Sequence, residues 1–158
     1  MLSLRKAEAE DCSTILRIQT KAFAPLVHSY HVRGSNPASE SVADIRRRFA
    51  QPFTDYYLVC LDQDPIGIIR ICDFGEECRV APICILPQYQ GRGYARQAML
   101  RAEELYPDAA AWSLETILQE ERLCRLYESL GYVRTERIER IRDGMDLVYY
   151  RKEVANRA

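Results

Sequence analysis

Residues 83–100 read ICILPQYQGRGYARQAML. An apolar run stops at Pro87, two glycines follow with one residue between them, and Ala95, Ala98, Met99, Ala102 and Leu105 then recur at helical spacing. A strand that passes through a glycine turn into a helix creates an anion site. The first helical N–H groups have no internal partners, and the helix dipole adds partial positive charge. Gly91 and Gly93 lack the Cβ that would hold an anion away from the backbone. The glycines alone do not choose the anion. A dinucleotide fingerprint needs G-x-G-x-x-G or A in the chain's first β–α unit, with an acidic residue about 20 positions on. Here the run is G-R-G-Y-A-R, with Arg96 last, in mid-chain. No G-x-x-x-x-G-K-[ST] is present, so the triphosphate loop is excluded.

The flanks give the context. Residues 2–7 (LSLRKA) alternate and read as a strand. Asp11 is placed to cap a helix whose inward stripe is Ile15, Ile18, Ala22 and Phe23. PLVHSYHVRGSNPAS, rich in turn formers, reads as a loop. A second helix follows with Val42, Ile45 and Phe49 inward, a Ser41/Asp44 capping box, and Arg46, Arg47 and Arg48 as a solvated face. DYYLVCLD and IGIIRICDF form a hairpin about DQDP, and CRVAPICILP is a third consecutive strand. Pro82 cannot donate to a ladder, so a bulge or an edge is expected there.

Beyond the glycine turn, a helix runs from about Gly91 to Tyr106 and AAAWSLET is a strand. QEERLCRLYESLG is a helix with Leu123, Leu126, Tyr127 and Leu130 on one stripe and a Glu121–Arg125 pair outside. YVRTERIERI and DLVYYRKEV close the chain as a hairpin. The order β, α, α, β, β, β, α, β, α, β, β predicts an α/β (α+β) fold with a mixed sheet and helices on both faces, in one domain spanning 1–158.

Composition narrows the partners. Lys and Arg total 22 against 23 Asp and Glu, so no basic excess exists to condense on nucleic acid. No apolar run approaches the ~20 residues of a membrane span, and the start lacks a signal peptide, which points to the cytoplasm. The six cysteines form no C-x-x-C pair and sit mostly in apolar segments, so they read as buried reduced thiols rather than metal ligands.

Two motifs carry a resemblance. Gln88–Gly93 has the pattern Q-x-x-G-x-G after the proline-ended strand ICILP, and RLYESLGY lies downstream at residues 125–132. Together they resemble the acyl-CoA-binding motif and the "lYeklGF" signature of the GNAT superfamily of acetyltransferases, and the element order is similar over nearly the whole chain. The resemblance implies a mostly antiparallel mixed sheet of six to seven strands, splayed at a bulge in the fourth, and an N-acetyltransferase with acetyl-CoA (CoA) as co-substrate and no metal. The implied partners are a small-molecule or peptide amine substrate and a second copy in a homodimer, with no nucleic acid and no membrane.

Residue by residue, the resemblance puts the cofactor pyrophosphate on the amides of Gln90, Gly91, Arg92, Gly93, Tyr94 and Ala95. Ile83 and Ile85 face the pantetheine, and the Ile85 N–H polarises the thioester carbonyl. Tyr127 protonates the departing thiolate. Glu77 and Glu115 are candidate general bases, acting through water. Cys84 lacks an evident activating neighbour for a ping-pong route. Glu120 and Leu123 stand where the family often has an asparagine and a small residue, which motivates the alternative of a non-catalytic acyl-CoA sensor. The loop residues His28, Tyr30, His31 and Arg33 are candidates to shape the acceptor site.

Overall fold

The computed structural model describes residues 1–30 and 39–154. Seven strands form one sheet: β1 (Leu2–Lys6), β2 (Thr54–Leu61), β3 (Asp64–Asp73), β4 (Glu77–Ile85), β5 (Ala111–Ile117), β6 (Val133–Arg142) and β7 (Met145–Glu153). Their spatial order is β1-β2-β3-β4-β5-β7-β6. Every neighbouring pair is antiparallel except β4–β5, which is parallel. The helices α1 (Cys12–Tyr30) and α2 (Val42–Phe49) cover one face. The helices α3 (Tyr94–Leu105) and α4 (Glu121–Ser129) cover the other.

The sheet is apolar on both faces because helices cover both. On β2, Tyr56, Leu58 and Cys60 pack toward α1 and α2, while Tyr57 and Val59 pack toward α3. The six cysteines are free and buried. α2 begins at the expected capping box: the Ser41 hydroxyl accepts from the Asp44 N–H at 3.2 Å, and the Asp44 carboxylate accepts from the Ser41 N–H at 2.9 Å.

Four local expectations change. Residues 25–30, expected as loop, continue α1 through Pro25. The lost backbone bond is outweighed because Leu26 and Val27 extend the apolar face and line a cavity. Asp11 does not cap α1 from the N-cap position; it lies in a 3-10 turn (Ala9–Asp11), and its carboxylate accepts from the Glu8 N–H at 2.8 Å. Leu105 lies outside the core, 49% exposed. The Glu121–Arg125 ion pair is not formed among the described residues, which fits the small net value of exposed i,i+4 pairs.

The decisive irregularity is in β4. Between Ile69↔Ile83 and Ile71↔Val80, β4 advances one residue more than β3, so Ala81–Pro82 forms a bulge. An extra residue reverses the alternation of faces. Val80 before the bulge and Ile83 and Ile85 after it therefore all face α3 and α4. The parallel pairing of β4 with β5 runs only from Glu77↔Ala111 to Arg79↔Ser113. Beyond Arg79 the two strands part, and the bulge sits where they separate.

Candidate active site

The parted strands expose backbone. The Leu86 N–H donates to the Ile66 carbonyl at 2.8 Å, so Leu86 and, two residues back, Cys84 direct their amides toward β3. Gly67↔Ile85 and Ile69↔Ile83 are then the non-hydrogen-bonded pairs, and Ile83 and Ile85 turn their N–H and C=O groups into the gap. The Gln90 side chain agrees with this direction: its Nε2 donates to the Ile85 carbonyl at 2.9 Å. Gly67 holds β3 close. A Cβ there would lie 2.5 Å from the Cys84 carbonyl oxygen and 2.7 Å from Ile85 Cδ1.

At the end of β4 the chain makes a 3-10 turn (Pro87–Tyr89) and passes Gly91 and Gly93 with φ of 78° and 83°. Gly93 is the N-cap of α3, and a Cβ on it would meet nothing within 4 Å, so open space lies before the helix N-terminus. The first intrahelical donor is the Gln97 N–H, to the Gly93 carbonyl at 3.1 Å. The amides of Gly91, Arg92, Gly93, Tyr94 and Ala95 find no backbone acceptor among the described residues. Gln90 departs from the expected set, because its N–H already donates to the Pro87 carbonyl at 3.2 Å. Gln88 and Arg92 are exposed and lie outside the cavity.

A cavity of about 530 Å³ opens in front of this turn, between β4, α3 and α4. It reaches from Gly91 and Gly93 along Ile83 and Ile85 to Tyr127. Three guanidiniums rim it: Arg96, Arg122 and Arg125. The sequence reading missed the last two, since a helical arginine carries no signal of what it faces. Arg122 Nη2 comes within 3.6 Å of where a Gly91 Cβ would stand, placing its charge over the glycine turn. If this turn holds the acetyl-CoA that the sequence resemblance implies, Arg122→Ala should weaken its binding roughly five-fold, and less at high salt. Calorimetry at two ionic strengths reads this, and an unchanged affinity would remove Arg122 from the site.

A second cavity, about 520 Å³, lies across the gap between α1, β4, β5 and β7. The two share Phe23, Leu26, Ile83, Leu123 and Tyr127. Tyr127 is 6% exposed and stands where they meet. Burial, with the Cys84 and Cys124 sulfurs nearby, pushes its phenol pKa well above the ordinary value. No described group hydrogen-bonds its hydroxyl. Burial also pushes the Cys84 thiol up to about 12, so it carries almost no thiolate near neutral pH.

The remaining candidates separate. Glu115 lines the second cavity, ion-paired with Arg79. Glu77 lies outside both cavities at the paired end of β4, ion-paired with Arg151. Arg48, expected on a solvated face, instead lines the second cavity and pairs with Glu40. Glu120 accepts from the Tyr30 hydroxyl at 3.0 Å, tying the end of α1 to the start of α4. His28 is exposed and lines neither cavity. His31 and Arg33 lie outside the described residues.

The acetyltransferase (GNAT) family profile matches residues 13–132, which contain the bulged strand, the glycine turn and Tyr127. The chain belongs to the GNAT acetyltransferase family. Among curated proteins no significant match is found. Solved structures match over nearly the full length. The ribosomal-protein-S18-alanine N-acetyltransferase of Escherichia coli is 17% identical, covers 100% of this chain and 97% of its own, and gives a TM-score of 0.80. An acetyltransferase of Thermus thermophilus is 17% identical over 98% and 97%, with a TM-score of 0.78. The PaiA N-acetyltransferase of Thermoplasma acidophilum, in complex with coenzyme A, is 14% identical over 98% and 99%, with a TM-score of 0.75. At these identities the likeness is one of fold. As a GNAT acetyltransferase, the protein belongs to a family that uses acetyl-CoA.

Proposed function

We propose that this GNAT protein transfers the acetyl group of acetyl-CoA to a primary amine by direct attack, with the amine entering from the α1 side of the gap. The observation that carries the reading is the pair of cavities meeting at Tyr127, on either side of a break in the sheet. The acetyl donor lies in the cavity that ends at the glycine turn. The amides of Gly91, Arg92, Gly93, Tyr94 and Ala95 hold its pyrophosphate at the α3 N-terminus. The open ladder positions of Ile83 and Ile85 hold its amide-bearing arm as a strand would.

The amine nitrogen forms the new bond to the thioester carbon. The Ile85 N–H donates to the carbonyl oxygen as negative charge builds there, and that oxygen re-forms its double bond as the C–S bond breaks. Tyr127 gives its hydroxyl proton to the departing sulfur and recovers one from the ammonium that attack leaves behind, so the products are amide and thiol. Cys84 is not needed as an acyl carrier, consistent with its buried, protonated thiol. Glu115 is held by Arg79, which leaves water as the route by which the incoming ammonium loses its first proton.

The test has two parts. Calorimetry should show acetyl-CoA and CoA binding to one site per chain, and a thiol-release assay over a panel of amines should show turnover. Absence of binding ends the proposal. Binding without turnover of any amine would favour an acyl-CoA sensor.

A further inference from the structure

The acceptor-side cavity has a charge pattern that selects among amines. Its walls are apolar: Phe23, Leu26 and Val27 from α1, Leu114 and Ile117 from β5, and Leu147 from β7. Among the described residues, three guanidiniums and two carboxylates line it, those of Arg48, Arg70 and Arg79 and of Glu40 and Glu115. Both carboxylates are engaged. Glu40 is ion-paired with Arg48 and accepts from Gln19 Nε2 at 2.6 Å. Burial alone would raise the Glu40 carboxyl, but the hydrogen bonds from Arg48 and Gln19 outweigh it and hold its pKa below the usual range. Glu115 is ion-paired with Arg79.

Arg70 is different. It projects from β3 opposite the β4 bulge and donates to the Ala81 carbonyl at 2.9 Å, to Gln51 Oε1 at 2.9 Å and to Thr54 Oγ1 at 3.2 Å. All three acceptors are neutral, and no carboxylate lies within ion-pair distance of it among the described residues. Residues 31–38, HVRGSNPA, contain no acidic side chain that could supply one. Neutral acceptors fix the guanidinium's position, and the Glu40 carboxylate, already bound by Arg48 and Gln19, acts on it only through space. A half-buried cation beside apolar walls attracts an anion more strongly than a surface one, because less water screens it.

We infer that the acceptor is a small apolar amino acid, whose carboxylate is drawn to Arg70 while its side chain fills the apolar walls and its amine reaches the gap at Tyr127. The same pattern disfavours polyamines, which would meet a net positive cavity with no free carboxylate to receive their second cation. The cavity's size, within the usual range of about 300–1,000 Å³, suits a small molecule. This inference rests on the acetyltransferase reading and deepens it.

Matched probes test it on the unmodified protein. Thiol release from acetyl-CoA is followed with L-leucine against 3-methylbutylamine, L-phenylalanine against 2-phenylethylamine, a leucine-initiated tripeptide, and spermidine. In at least one matched pair the amino acid is expected to exceed its decarboxylated partner about 10- to 100-fold in kcat/KM, the range of a charge-assisted contact. It should also exceed the tripeptide and spermidine. Arg70→Gln should collapse that ratio toward one, with the larger rise in KM falling on the amino acid of each pair.

Equal rates within both pairs, preference for spermidine or the tripeptide, or a ratio that survives Arg70→Gln would each overturn the inference. Because the pairs are compared in the unmodified protein, a variant that fails to fold does not blunt the test. Acetyl-CoA binding with plain amines turned over as fast as the matched amino acids would sink the inference and leave the transferase reading standing. Loss of acetyl-CoA binding altogether would sink both.

Discussion

Tyr127→Phe is expected to lower kcat about 10²–10⁴-fold, the usual contribution of a positioned general acid, with the affinity for acetyl-CoA unchanged. Tyr127 lines both cavities, and the change to Phe removes a proton donor and little packing. The core should tolerate the change, because the hydroxyl has no hydrogen bond among the described residues and the ring keeps its contacts with Tyr132 and Tyr150. A pH profile of the unmodified protein adds a second check. Burial raises the phenol pKa, and the protonated form is the one that acts, so Tyr127 stays competent beyond its ordinary pKa of 10.0. In the proposed reaction the leaving thiolate would share the apolar surroundings, which raise its own proton affinity and keep the transfer near balance. The amine must lose a proton to attack, so kcat/KM should rise with pH up to about 9, with a log slope near one. Full turnover by the Phe variant would remove the acid role. A decline already below about pH 9 would assign the acid to a group with a lower pKa.

Gly67→Ala should carry the largest cost in stability. Its Cβ would sit 2.5 Å from the Cys84 carbonyl oxygen, a backbone atom that no rotamer change can move. β3 and β4 must separate at that point, at a cost of about 1–3 kcal/mol. For a chain of this size that lowers Tm by roughly 2–4 °C per kcal/mol. The effect should not stop at stability. Gly67 is the register partner of Ile85, so pushing β4 away displaces the amide proposed to donate to the thioester oxygen. Calorimetric melting and steady-state kinetics should therefore move together, with Tm and kcat both reduced. An unchanged Tm would contradict the close approach of the two strands. A lower Tm with intact kcat would show that the Ile85 amide is not set by this contact.

Much of the fold was legible because its signals are local. Alternation marked β1, runs of apolar, β-branched and aromatic residues marked the central strands, and the Ser41/Asp44 box marked the start of α2 where the structure has it. Pro82, unable to donate in an interior strand, announced the bulge that the pairing displays. Two misreadings share one cause, which is that local preference yielded to packing. Pro25 argued for a loop, but the residues after it had an apolar cavity to line, and the helix ran on to Tyr30. Arg48 looked like part of a solvated run until Glu40, eight residues earlier, proved to be its partner.

The sequence by itself determined the strand–turn–helix that can hold an anion and the placement of Tyr127 on a helix stripe, because backbone geometry and periodicity are properties of neighbouring residues. Whether that tyrosine is a core residue or stands at a reaction site could not be read there, since both roles ask for the same stripe. The tertiary structure decided where it stands. The extra residue at Ala81–Pro82 reverses the faces of β4 and coincides with the end of its pairing to β5. Two cavities then open that share Tyr127 in their walls. The charge pattern around Arg70 likewise belongs to no segment, because its meaning lies in which carboxylates, far along the chain, are already engaged by other arginines. Electrostatic balance is a sum over residues brought together by folding, and only the folded chain evaluates it.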